Sequence, residues 1–299
     1  IMQTKLEWPK DAVLAKTISV EMERGKPESL RRIETQILHF TGKTWRAYSY
    51  QWNDEQTDAN LVDAEGLDRP LTITDPAAPG GTRKLTYNIP SRATCVRCHN
   101  PWAQHTLAFN VPQLNKDHDY GRVLDNQLRT LQHIAILSPA KGELTTDQNG
   151  SANGTDPATE QPPLPRLTNP YDPTSELDAR ARSYLQVNCA HCHQFGGTGS
   201  AEIDLRSEVP IAQTKTIGIR PRQGTFGIHD AHVLSPGDPY RSVLFYRISK
   251  LGSGRMPHIG SEVIDQRGVD LIHDWIRQLP VRTSDVAVLD RLSEMDEPT

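Results

Sequence analysis

Four cysteines are the whole complement of a 299-residue chain, and they fall into two copies of one pattern. Cys95-Val96-Arg97-Cys98-His99 and Cys189-Ala190-His191-Cys192-His193 each place two thiols three positions apart and a histidine directly after the second. On one helical turn such thiols reach two vinyl groups of a single porphyrin, and the next imidazole projects at its iron. The pattern therefore predicts two covalently attached haem c groups, one on Cys95, Cys98 and His99 and one on Cys189, Cys192 and His193. A zinc shared by both pairs would have to close a loop of about 90 residues, far longer than a zinc ribbon. A thioredoxin-like pair needs no trailing histidine. Histidine fills 11 of 299 positions. Chance would thus supply both trailing histidines on the order of once in a thousand, which favours haem attachment over the zinc and redox-pair readings.

Composition agrees with a chain that buries something besides side chains. Apolar residues make up 36% and aromatics 6%, and a haem is a large apolar plate that supplements such a core. The formal charge of -4 argues against a nucleic-acid surface. No run approaches the ~20 apolar residues of a membrane span. The chain opens Ile1-Met2-Gln3-Thr4 without an export signal. Since c-type attachment belongs to an oxidising setting, the expected location is exported, periplasmic or cell-envelope, with the chain excised from a longer protein.

The second motif sits in a readable frame. Thr174 to Asn188 reads as a helix capped by Thr174 or Ser175, with Glu176 and Asp178 in its first turn and Ala181, Tyr184 and Leu185 as its apolar stripe. It runs into Cys189. Gly196-Gly197-Thr198-Gly199 follows as a turn that lets backbone pass close to a haem edge. Met256, in Arg255-Met256-Pro257-His258-Ile259-Gly260, is the expected sixth iron ligand, with His258 as its local competitor. A Met filling a core gap is the alternative. Pro257 restricts Met256 to extended backbone. A last helix opens at Ile264-Asp265, buries Val269, Ile272, Trp275, Ile276 and Leu279, and stops at Pro280. This order, with a short helix near Tyr240 to Ile248, resembles class I cytochromes c, where first and last helices cross and a Met loop closes the far side.

The first motif has no such partner, since no Met lies between His99 and Met256. Residues before it alternate as strands: Leu14, Lys16, Ile18, Val20; Ile33, Thr35, Ile37, His39; Tyr48, Tyr50, Trp52; Leu85, Tyr87, Ile89. A sheet of roughly four or five strands is expected to cover the first haem. Beyond it, Leu114 to Leu137 reads as partly helical, with Leu124, Leu128, Leu131 and Ile134 on one side. Candidate distal ligands are His39 first, then Lys16 and His105, with His133, Met2 and Met22 behind them; an open iron is the remaining choice. Each has a bland alternative, a hydrogen-bonded histidine or a snorkelling lysine.

The expected organisation is α+β. A β-rich region over residues 1–90 packs on the first haem, and a first haem-binding unit spans 91–141. A linker rich in Pro, Gly, Asn and Thr covers 142–173, a mainly α, class I cytochrome c-like domain covers 174–281, and a polar tail covers 282–299. Asn149 and Asn153 match glycosylation acceptors, read as chance in such a stretch. Lys215, Arg220 and Arg222 are either propionate partners or solvated cations.

Long stretches resemble a family of bacterial dihaem c-type cytochromes common in planctomycetes. They are "ETQILHF", "WRAYSYQWNDEQTDANLVDAEG", "CVRCHNPWAQHTLAFNVPQLN", "ARSYLQVNCAHCHQFGGTGSAEIDLR" and "VLSPGDPYRSVLFYRISKLGSGRMPHIGSEVIDQRGVDLIHDWI". They occur in order from about Asp11 to Leu279. The resemblance implies an electron-transfer module whose partner is a redox protein or a fused dehydrogenase domain, such as a sugar dehydrogenase propeller. It carries over Cys95, Cys98, His99, Cys189, Cys192, His193 and Met256, and leaves the first haem's sixth ligand open. The expected function is electron transfer rather than catalysis. The runner-up is a dihaem peroxidase-like enzyme with an open first haem, followed by a gas or redox sensor.

Overall fold

The computed structural model describes residues 6–137 and 164–281. Met2, Asn149, Asn153, most of the expected linker and the tail 282–299 lie outside the described residues. The chain divides into two compact units, one of Ile1–Glu7 with Thr106–Thr168 and one of Trp8–His105 with Asn169–Thr299. Both cysteine motifs fall within the second unit. Within it the helix end at Arg97 meets the turn at Thr198.

In that unit β1 (Val13–Glu21), β2 (Leu30–Phe40), β3 (Trp45–Trp52) and β4 (Ala59–Leu61) form an antiparallel sheet in chain order. A second hairpin, β5 (Leu67–Thr74) with β6 (Thr82–Ile89), packs on it. Ile33, Val62, Leu71, Tyr87 and Ile89 are buried between the two layers. Inside this apolar layer Glu34 is fully buried, and the Tyr87 hydroxyl donates to its Oε2 at 2.8 Å. The alternating segments of the sequence coincide with β1, β2, β3 and β6, while β4 and β5 carry no such pattern.

β6 runs through Pro90 into α1 (Arg92–Cys98). Ser91 caps it, its Oγ accepting from Thr94 N–H. Gly66 allows this junction: at φ +75 a Cβ there would stand 2.3 Å from the Ile89 carbonyl oxygen.

The later half of the unit holds α4 (Leu177–Asn188), α5 (Val243–Ile248) and α6 (Gln266–Gln278), numbered after α2 (Val111–Leu114) and α3 (Gln127–His133) of the other unit. The N-cap of α4 is Glu176, one or two residues later than the expected Ser175 or Thr174. Asp172 accepts from Thr174 N–H, from the Thr174 hydroxyl and from the Ser175 hydroxyl, which holds both residues in the turn before the helix, and Glu176 makes no side-chain cap bond. α6 is capped by Asp265, which accepts from Gly268 N–H. α4 and α6 cross in direct contact: a Cβ on Gly268 would stand 2.4 Å from the Tyr184 ring. At the same crossing Trp275 Nε1–H donates to Asp178 at 2.7 Å. Ala181, Leu185, Ile272, Trp275 and Ile276 are the buried centre of this core.

The other unit is small. α2 and α3 enclose Val111, Leu114 and Leu128 beside a two-stranded ribbon of β7 (Asp117–Asp119) and β8 (Leu124–Asn126). The expected apolar side of Leu124, Leu128, Leu131 and Ile134 is not one face: Leu124 and Ile134 are exposed because the chain is a strand at the first and past the helix end at the second.

Candidate functional site

α4 ends at Asn188 and delivers Cys189 as its C-cap; the chain then turns through Ala190 and His191 to Cys192 and His193. The turn is held by His193 N–H donating to Cys189 C=O at 2.9 Å. Past it the glycines are demanded by contact. A Cβ on Gly197 would stand 2.3 Å from the Cys192 carbonyl oxygen, and one on Gly199 would stand 2.6 Å from His193 Nδ1. The glycine turn thus wraps the back of the His193 ring.

Opposite it, residues 255–263 form a loop returning from α5. Met256 N–H donates to Arg247 C=O at 3.0 Å, and the Met256–Pro257 peptide is cis. Arg255, 9% exposed, ties the loop together from inside. Its guanidinium donates to the carbonyls of Ile248, Lys250, Ser261 and Val263 at 2.6–2.9 Å. Arg255 was not apparent from sequence, where it is one basic residue beside a methionine.

These two loops bound a cavity of about 440 Å³, within the range of small-molecule and cofactor pockets. Cys189, Cys192 and His193 line one part of it and Met256 and His258 another, with Ile203, Leu205, Val233, Leu244 and Ile248 among the apolar walls. Arg222 and Arg247 reach the same cavity, Arg222 paired with Glu202 at 3.1 Å. Lys215 and Arg220 are not part of the lining; Arg220 pairs with Asp230. Burial holds the His193 imidazole below its ordinary pKa, and raises the Cys189 thiol to about 12. His193 Nδ1 is buried with no hydrogen bond of normal geometry, although the Ala201 carbonyl favours its protonation.

At the other motif, Cys95 and Cys98 occupy the last turn of α1 and His99 is its C-cap. His99 Nδ1–H donates to the His105 carbonyl, and His105 Nδ1–H donates to the His99 carbonyl at 3.0 Å. This clamp fixes the His99 tautomer and leaves Nε2 free, the usual second partner of a metal-ligating histidine. Burial keeps His99 below its ordinary pKa, and the charges of His191 and Lys16 act in the same direction. Burial and the Glu34 carboxylate raise the Cys95 thiol. Lys16 and Glu34 share a sheet face through the β1–β2 register, in which Lys16 pairs with Gln36.

Alternation puts His39 on the opposite face, where its Nε2 meets Asp11 at 3.3 Å. The structure therefore does not bring His39 to His99. His105 is bound to the motif's own backbone. Met22 lines a separate cavity with Arg31 and Arg69, and His133 ends α3 in the other unit.

The two motifs meet. Cys98 Sγ and Cys192 Sγ are 3.9 Å apart, and His191 completes a group whose ligand atoms lie within 4.8 Å of one another. All four cysteines are free of disulfides. The Cys98–Cys192 contact raises the Cys98 thiol and lowers that of Cys192; His191 and Thr198 lower Cys192 further. His191 escaped the sequence reading because it occupies an unconstrained position of the motif.

The residues of the second motif fit the haem implied by their spacing: its thiols form no disulfide, His193 has an uncommitted nitrogen, and a glycine cradle faces a walled cavity. At the first motif the fit rests on Cys95 and Cys98 being free of disulfides and on the uncommitted Nε2 of His99. Comparison with family models, with curated proteins and with solved structures found no match.

Proposed function

We propose that this chain is a dihaem c-type cytochrome that transfers electrons, with haem held at Cys95, Cys98 and His99 and at Cys189, Cys192 and His193. One observation carries the reading. Four residues from two distant stretches, Cys189, Cys192, His193 and Met256, line a single apolar-walled cavity. When bound, haem supplies a one-electron iron couple. The chain's part is to hold and tune it. His193 and Met256 would supply an imidazole and a thioether, a pair that would favour ferrous iron and raise the potential. The apolar walls would cover the porphyrin face, Arg255 fixes the Met256 loop, and the His105 carbonyl orients His99. The α4–α6 crossing and the Met256 loop together support a class I cytochrome c-like domain.

The proposed setting is the exported one that covalent haem attachment requires, and the proposed donor is a neighbouring or fused dehydrogenase. Among the described residues no helix is long and apolar enough to cross a membrane. The test is expression with a c-type maturation system, followed by redox titration. The expected result is two one-electron steps with low-spin spectra and no peroxide turnover. A resting high-spin signal with peroxide turnover would replace the reading with a peroxidase.

The Cys98, His191 and Cys192 group favours a second reading, a soft divalent metal such as zinc. It supplies three donors, one short of a closed structural site. Metal analysis decides: one zinc per colourless chain supports this reading, and two irons per chain exclude it.

A further inference from the structure

We infer that Cys98 and Cys192 attach the neighbouring edges of the two haems, so that both haems form one coupled pair between which electrons pass directly. The inference rests on the dihaem reading above. The two sulfurs are 3.9 Å apart. Two covalent bonds, each on the order of 1.5–2 Å, separate a thioether sulfur from its porphyrin ring. Adding both sides to the 3.9 Å gap puts the nearest ring edges no farther apart than about 12 Å.

The juxtaposition is built by more than the sulfurs. The Thr198 hydroxyl donates to the Arg97 carbonyl at 2.8 Å, tying the glycine turn of one motif to the helix end of the other. Gly196 lies so close under Trp102 that a Cβ would stand 2.5 Å from its ring, and Phe195 meets the same indole edge-on at 6.2 Å. Each of these contacts joins the segment just after one motif to the segment at the other. The spacing is therefore a property of the fold, and the motifs cannot separate without breaking it. Transfer within the pair is balanced: the electron that leaves one iron arrives at the other, and no proton or further reactant is required.

The experiment uses the matured full chain, its haem content read by intact mass. It is compared with two double variants, C95A/C98A and C189A/C192A, each lacking one attachment. The readouts are circular dichroism in the Soret region and electron paramagnetic resonance of the oxidised state. The expected result is a two-signed Soret couplet and broadened ferric signals in the dihaem protein, neither equal to the sum of the single-haem variants. Additive spectra from a chain shown to carry two haems would overturn the adjacency while leaving the dihaem reading intact. A bare-chain mass would overturn both. If a variant does not fold, the intact protein suffices: reducing the higher-potential haem must alter the ferric signal of the other, and an unaltered signal overturns the inference.

Discussion

Replacing Arg255 with methionine removes the guanidinium while keeping much of the side chain's length. Four carbonyls, those of Ile248, Lys250, Ser261 and Val263, then lose their donor in a site where Arg255 is only 9% exposed. At about 1 kcal/mol net per hydrogen bond the loss is about 4 kcal/mol, lowered toward ~3 where water reaches the outer carbonyls. Burial pushes the guanidinium pKa down, but from so high a value that it stays charged, so the loss is not reproduced by raising pH. The loop it ties carries Met256, so under the proposed function the same variant should weaken thioether ligation. Urea unfolding of the matured protein gives the first quantity as a fall in midpoint at constant slope. The far-red band of iron–thioether ligation, followed in the same titration, gives the second. A loss below about 1 kcal/mol with an unchanged band would refute the assignment of Arg255 as the support of the Met256 loop.

Met256→Ala should abolish that far-red band outright and lower the second haem's potential, as redox titration would record; an unaltered potential removes Met256 from the ligand set. Gly268→Ala should cost about 1–3 kcal/mol through overpacking, because the new methyl meets the Tyr184 ring at 2.4 Å; a neutral result in thermal unfolding would contradict the helix crossing. His39→Ala should leave the first haem's spin state unchanged, and a shift to high spin would restore His39 as its ligand. Asp172 has its pKa held below the ordinary 3.8 by the Thr174 hydroxyl and backbone N–H and by the Ser175 hydroxyl. Its stabilising share is fully present above the unfolded value and fades as pH falls through the lower folded value. Asp172→Asn should flatten that acid limb of stability, and an identical acid limb would dismiss the assignment.

Local chemistry was legible in the sequence, and long-range placement was not. Alternation marks β1, β2, β3 and β6, whereas β5 is hidden by Pro70 and the polar Asp68 and Arg69, and β4 is only three residues long. The residues of α6 and the cap at Asp265 follow from period and composition. The start of α4 does not: Thr174 and Ser175 belong to a turn gathered on Asp172, and the helix begins after Glu176. At the site, the motif residues and Met256 are visible by spacing and by loop context. The approach of Cys98 to Cys192 is not, since 94 residues separate them and nothing local encodes their meeting. The same holds for His39: its place on an alternating strand was clear, but which sheet face looks toward His99 is decided by packing. His191 and Arg255 carry no pattern at all, and only their surroundings give them a role.

The central claim is that paired thiols capture two porphyrins. It is tested most directly by the intact mass of the full chain purified from a host able to mature c-type cytochromes. The expected value is the chain plus two haems, resistant to acid-acetone extraction. A mass equal to the polypeptide alone, in a colourless preparation, would contradict it.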